Sequence, residues 1–242
     1  MIKKAFLGMI LIAIASGAQA QSVRTVLSKD GHIPRPGQTE LGADFRYEEF
    51  DFREETTLSP YFRYALFKNL AVSAQAPFRT IDPELGGSES GLGDTTVGLE
   101  FLGYQDIFRY PWIMPHVSVS LATGDEDKGL GTGETAYTLG LAMGTTVEDV
   151  FHFVADARYN ILDDQDNIPS VAFALVWDLD RQFSLVGELE VARDKEADTH
   201  PLTFLGGMHY KINRSLSFGV YGGTSKNTDR DVLVHGRLSA LF

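Results

Sequence analysis

The chain has 242 residues, with 33 acidic against 21 basic side chains, a formal net charge of −12, no cysteine, 24 glycines and 11% aromatics. That acidic balance argues against a nucleic-acid partner, which requires a basic face, and the lack of cysteine removes disulfide frameworks, thiolate zinc sites and cysteine nucleophiles together. A hydrophobic share of 43% with a mean hydropathy near zero excludes both a bundle of membrane helices and wholesale disorder.

Residues 1–20 have the layout of a secretory signal peptide. Lys3 and Lys4 give a positive start, Ala5 to Ala15 is almost continuously apolar, and Ala18-Gln19-Ala20 is a small-x-small cleavage signal. A cut after Ala20 leaves 222 of the 242 residues, and losing Lys3 and Lys4 moves the charge from −12 to −14. Residues 21–37, with Pro34 and Pro36, are expected to form a periplasmic tail or a plug in the lumen of a barrel built from residues 38–242. The sequence leaves both open.

From residue 38 onward, apolar residues alternate with polar or small ones over stretches of about ten residues, a period of two that marks strands. Twelve such stretches succeed one another along the chain, each with one uncharged face: Leu41 to Tyr47, Leu58 to Leu66, Leu70 to Ala76, Thr95 to Phe101, Ile113 to Leu121, Tyr137 to Met143, Phe151 to Tyr159, Val171 to Trp177, Phe183 to Val191, Leu202 to Tyr210, Leu216 to Gly222 and Val232 to Phe242. The interleaved positions hold the charges. They are Glu40, Asp44, Arg46, Glu48, Arg63, Glu100, Asp156, Arg158, Asp178, Glu188, Glu190, Lys211 and Arg237, eight acidic and five basic, joined by His116, His152, His209 and His235.

The pattern predicts an all-β fold, an antiparallel transmembrane barrel of about twelve strands over residues 38–242, its apolar face toward lipid and its polar face enclosing a lumen. A soluble periplasmic sandwich is the rival. Aromatics near expected strand ends (Phe67, Tyr104, Phe108, Tyr110, Trp112, Trp177, Phe183, Tyr210) suit the lipid–water boundary. The last strand ends on Phe242, which looks like the signal that bacterial barrel-assembly machinery recognises. Short periplasmic turns are expected at 67–69, 103–111, 146–149, 179–182 and 213–215, the second unusually long; outer loops at 79–93, 122–134, 161–168, 193–199 and 224–230. A tight outer turn falls near 51–55.

Chemistry-bearing motifs are sparse. Gly129 to Thr135 is glycine-rich but lacks a phosphate-loop Lys, and the acidic runs Asp125-Glu126-Asp127 and Asp163-Asp164 with Asp166 and Asn167 lack calcium-loop spacing. Ser118 and Ser120 lie near His116 on one strand face without aligning as nucleophile and base. No catalytic group, cofactor or metal is expected. The candidate lumen-lining residues are Arg46, Arg63, Glu100, His116, Asp156, Arg158, Glu188, Glu190, Lys211, His235 and Arg237, which either pair as structural salt bridges or select solutes by charge. Glu100→Arg is accordingly expected to leave folding nearly intact and to alter selectivity, whereas Leu99→Arg should destabilise.

Gly91-Leu92-Gly93-Asp94 followed by Val97-Gly98-Leu99, and Leu121-Ala122-Thr123-Gly124-Asp125 followed by Gly129-Leu130-Gly131-Thr132-Gly133, resemble two loops of the outer-membrane "MetA-pathway of phenol degradation" family, with Ala122 where that family usually has Pro. The resemblance implies a barrel transporter or channel and a link to aromatic compounds, without supplying catalytic residues. Together these readings point to an outer-membrane channel for passive passage of small molecules, aromatic or hydrophobic ones among them. Its expected partners are outer-membrane lipids, the assembly machinery and the solute. The alternatives are a closed-lumen structural or adhesion barrel, then a lipid-modifying barrel enzyme or a soluble β-protein.

Overall fold

A computed structural model describes residues 23–105, 111–162, 167–193 and 199–242. The signal-peptide segment, Phe108, Tyr110 and the acidic run Asp163, Asp164 and Asp166 lie outside the described residues. Among the described residues there is no helix, and twelve antiparallel staves close into one barrel. They are β1 (Thr39–Phe50), β2 (Arg53–Phe67), β3 in two pieces (Leu70–Gln75 and Phe78–Pro83), β4 in two pieces (Glu89–Leu92 and Thr95–Phe101), β5 (Trp112–Leu121), β6 (Ala136–Val147), β7 (Phe151–Leu162), β8 (Ile168–Asp178), β9 (Phe183–Ala192), β10 (Leu202–Lys211), β11 (Leu216–Lys226) and β12 (Arg230–Leu241).

Each stave pairs with its sequence neighbours, and β1 pairs with both β2 and β12, so the ring closes; at its loop end Glu89–Leu92 pairs on one side, with Phe78–Pro83. The two ends of the wall meet: the Thr39 N–H donates to the Phe242 carbonyl at 3.0 Å, and the Phe242 N–H to the Thr39 carbonyl at 2.8 Å. Apart from the 103–111 connection, those at that end are short, which defines a turn end; most of the longer ones lie at the opposite, loop end.

The apolar face points outward. On β6 the side chains of Tyr137, Leu139, Leu141 and Met143 stand exposed, while Ala142 between them is fully buried. Phe173, Leu175 and Trp177 on β8 repeat the pattern against buried Ala172, Ala174 and Val176. A continuous outer belt of Leu, Phe, Val and Met is stable only where acyl chains cover it. The inward faces bury Glu40, Arg63, Glu100, Asp156, Glu188, His209 and His235.

Two expectations need correction. The segment 79–93, expected as an outer loop, is largely a hairpin: Phe78–Pro83 pairs with β2 and Glu89–Leu92 pairs back onto it. Its Pro77, Pro83 and Gly-rich turn mask the strand, because Pro77 and Gly93-Asp94 only interrupt the ladder without ending the stave. Trp112 is no boundary aromatic. It points inward, 6% exposed, against Met114, Ala142, Val154 and Ala174, as its place next to outward Ile113 requires. The long turn at 103–111 begins with a two-residue bridge, Tyr104–Gln105, paired to the start of β5.

Candidate functional site: the lumen and its inner segment

Residues 23–37 run inside the barrel, held by wall side chains that grip the main chain. Glu188 on β9 accepts the N–H groups of Val26 at 2.6 Å, Leu27 at 2.9 Å and Ser28 at 3.2 Å, and the Ser28 hydroxyl at 3.2 Å. Asp156 on β7 accepts the Lys29 N–H at 3.1 Å and stands 2.9 Å from His116 Nε2. The Tyr221 hydroxyl donates to the Arg24 carbonyl at 2.6 Å, Arg237 to the Thr25 carbonyl at 2.8 Å, and Arg63 to the His32 carbonyl. Buried carboxylates satisfied by several N–H donors are charge-assisted contacts, each stronger than a neutral hydrogen bond.

The segment's side chains add to this. Arg24 binds Asp178 at 2.6 Å, and Lys29 reaches Glu100 at 2.7 Å. Val26 and Leu27 pack on an inner cluster of Val176, Val186, Leu205, Tyr221 and Leu233; Ile33 packs on the Trp112 cluster. Gly31 has φ +73°, and a Cβ there would come within 2.5 Å of the Trp112 ring, so only glycine fits this bend. His32 is half-buried by surface but enclosed in dense protein; withdrawal from water pushes it down to about 4, with Arg63 and Arg24 acting the same way and Asp30 opposing. Burial works against ionisation of Asp30, but Arg24 and His32 hold its carboxyl below the usual range.

The candidate lumen residues fall into pairs. Arg63 bridges Glu100 at 2.5 Å and Glu40 at 3.4 Å, and Tyr61 donates to Glu40 at 3.0 Å. Gly42 leaves the room that the Tyr61 ring occupies, since a Cβ there would collide with it. Arg237 forks onto Asp44 at 2.7 and 3.2 Å, with His235 Nε2 at 3.3 Å from the same carboxylate. Arg158 binds Glu190. Nearer the loop end, Arg230 binds Glu48 at 2.6 Å, and Arg79 binds Glu55 at 2.7 Å. Arg46 stands half-exposed, 3.8 Å from Glu48, and Lys211 lies beside the turn end of β10 without a salt bridge among the described residues. On β7 and β9, Asp156 and Glu188 both grip the inner segment, whereas Arg158 and Glu190 hold each other.

Sequence reasoning misses Arg24, Lys29, Tyr61 and Tyr221, and above all the inward apolar residues. The signal lies in the unbroken run Val171 to Trp177, together with Val186, Leu205 and Leu233. Strands apolar on both faces must be covered on both.

Asp94, at the break in β4, organises the loop end. It accepts the N–H of Gly124 at 2.9 Å and the N–H and hydroxyl of Thr132 at 2.7 and 2.9 Å, which folds the 122–135 connection over buried Leu130. Both motif loops of the sequence are thus one clasp. A family model described as "Putative MetA-pathway of phenol degradation" matches residues 19–237. The chain belongs to this family. No curated protein matches it. Among solved structures, the COG4313 outer membrane channel from Pseudomonas putida F1 is similar with a TM-score of 0.79 at 13% identity, over 90% of this chain and 100% of that one. The KdgM porin has a TM-score of 0.59 at 13% identity, over 82% and 98%. The translocator domain of the autotransporter NalP from Neisseria meningitidis has 0.60 at 11% identity, over 99% and 95%. The barrel is therefore of the outer-membrane type. Among the described residues no three His, Cys, Asp or Glu side chains group to hold a metal ion.

Proposed function

We propose that this protein is a passive channel of the bacterial outer membrane for small solutes, its bore narrowed by residues 23–37. The observation that carries the reading is a closed ring, apolar outside and ionisable within, whose interior holds a segment of its own chain. Beside that segment a cavity of about 180 Å³ remains, and toward the turn end a recess of about 600 Å³. Similarity to outer-membrane channels and porins supports passage over catalysis. Aromatic solutes enter the test panel through the family description. The stave that ends at Phe242 serves as the handle for the assembly machinery.

The density of contacts around Glu188 favours a second reading, a barrel kept closed as a scaffold. Planar-bilayer recordings separate the two. The full chain should give small, salt-dependent conductance steps, and deletion of residues 23–37 should enlarge them several-fold. Silence from both proteins would establish the scaffold.

A further inference from the structure

The cavity beside the inner segment is electrically balanced. Three cations border it, Lys29, Arg63 and Arg237, against three carboxylates, Glu40, Asp44 and Glu100, and the lining His116 is engaged by Asp156 at 2.9 Å. All six bind one another: Lys29 holds Glu100 at 2.7 Å, Arg63 spans Glu100 and Glu40, and Arg237 forks onto Asp44. Their donors and acceptors are in use, and their fields cancel over a few ångströms.

The adjoining stretch of wall, where Ser73 pairs across to Arg63 and Gln75 to Tyr61, is different. Ser73 and Gln75 on β3, Thr96 on β4 and Ser118 on β5 face the same cavity and carry no charge. The side chains of Ser73, Gln75 and Ser118 have no hydrogen-bond partner among the described residues. Register sets these groups side by side: Gln75 opposite Thr96, Thr96 opposite Ser120, and Ser118 opposite Thr138. Gly98 sits between Ser73 and Ser118; a Cβ there would lie 2.8 Å from the Ser73 hydroxyl. The result is a strip of hydroxyl and amide groups, three of them free, continued by Ser120 and Thr138 toward the loop end.

We propose that this strip is a binding track for small uncharged solutes that carry hydroxyl or amide groups. Such a solute exchanges its hydrogen bonds with water for bonds to groups that lack protein partners. A carboxylate or ammonium ion finds no free counter-charge in the cavity and loses hydration on entering. The inference rests on the channel reading and names the solute class that the channel takes.

The test uses the full chain in detergent with erythritol and acetate as probes, read by saturation-transfer NMR, and in parallel the same protein in lipid vesicles. Erythritol should receive saturation and acetate little. Gln75→Met with Thr96→Val keeps volume and removes polar atoms. That double variant should lower erythritol saturation and influx about threefold or more, while potassium chloride conductance stays within about twofold. Ser118→Ala is the gentler second variant if the double variant loses its folded gel mobility. Undiminished erythritol saturation in a folded variant, or acetate saturated more strongly than erythritol, overturns the proposal. Wild-type erythritol saturation without conductance or influx would uphold the track while sinking the channel reading.

Discussion

Leu99 and Glu100 are neighbours on β4 that face opposite ways: Leu99 is 45% exposed on the outer wall and Glu100 4% exposed within. Leu99 pairs across to Val117, in the middle of β5, so it lies deep in the apolar belt. Leu99→Arg should cost about 2–4 kcal/mol, as a cation near the bilayer midplane does. The structure changes the expectation for Glu100. Replacing it by Arg would set three cations together, with Arg63 and Lys29 stripped of their carboxylate, and should cost about 3–5 kcal/mol, the usual penalty for breaking a buried pair. The substitution that leaves folding nearly intact is Glu190→Gln, because the Arg158–Glu190 pair is about a quarter exposed, worth about 0–1 kcal/mol. Urea unfolding in lipid vesicles measures all three; a Leu99→Arg variant as stable as the wild type would overturn the assignment of faces.

The inner segment behaves as an element with its own stability. Its His32 stays neutral in place, with a folded value of about 4, lower than the ordinary 6.5. The released segment therefore binds protons first as pH falls below about 6.5, and docking weakens progressively down to about pH 4, where the docked His32 protonates too. Asp30, held below its ordinary 3.8, adds to the loss only at still lower pH. Conductance should thus rise on acidification from pH 7 to 4.5, and His32→Gln should flatten that rise. A pH-independent wild type would separate His32 from docking. This element also marks where the sequence stops being legible. The wall is legible because alternation assigns each of its residues to one side or the other. The inner segment is not, because Glu188, Asp156, Arg63 and Tyr221 bind its main chain, which carries no residue identity. Salt-bridge partners are equally hidden: β7 and β9 are separated by β8, and Arg158 reaches Glu190 diagonally across the small Ser170 and Ala172.

As a whole, the molecule stands on a hydrogen-bonded ring more than on a packed core; its buried apolar clusters are small, and the two larger ones lie where the inner segment touches the wall. A ring of this kind unfolds cooperatively and resists detergent. Unboiled protein should run on a denaturing gel as a compact band distinct from the boiled chain, and identical mobility would argue for a soluble sandwich. The mutual pair of bonds between Thr39 and Phe242 has a consequence for biogenesis. The circle cannot shut until β12 is in position, so a polypeptide lacking that stave would leave β1 and β11 with bare amide edges in hydrocarbon. Such an arrested intermediate has every incentive to recruit a strand from another chain, so β12 is the stave that seals the cylinder.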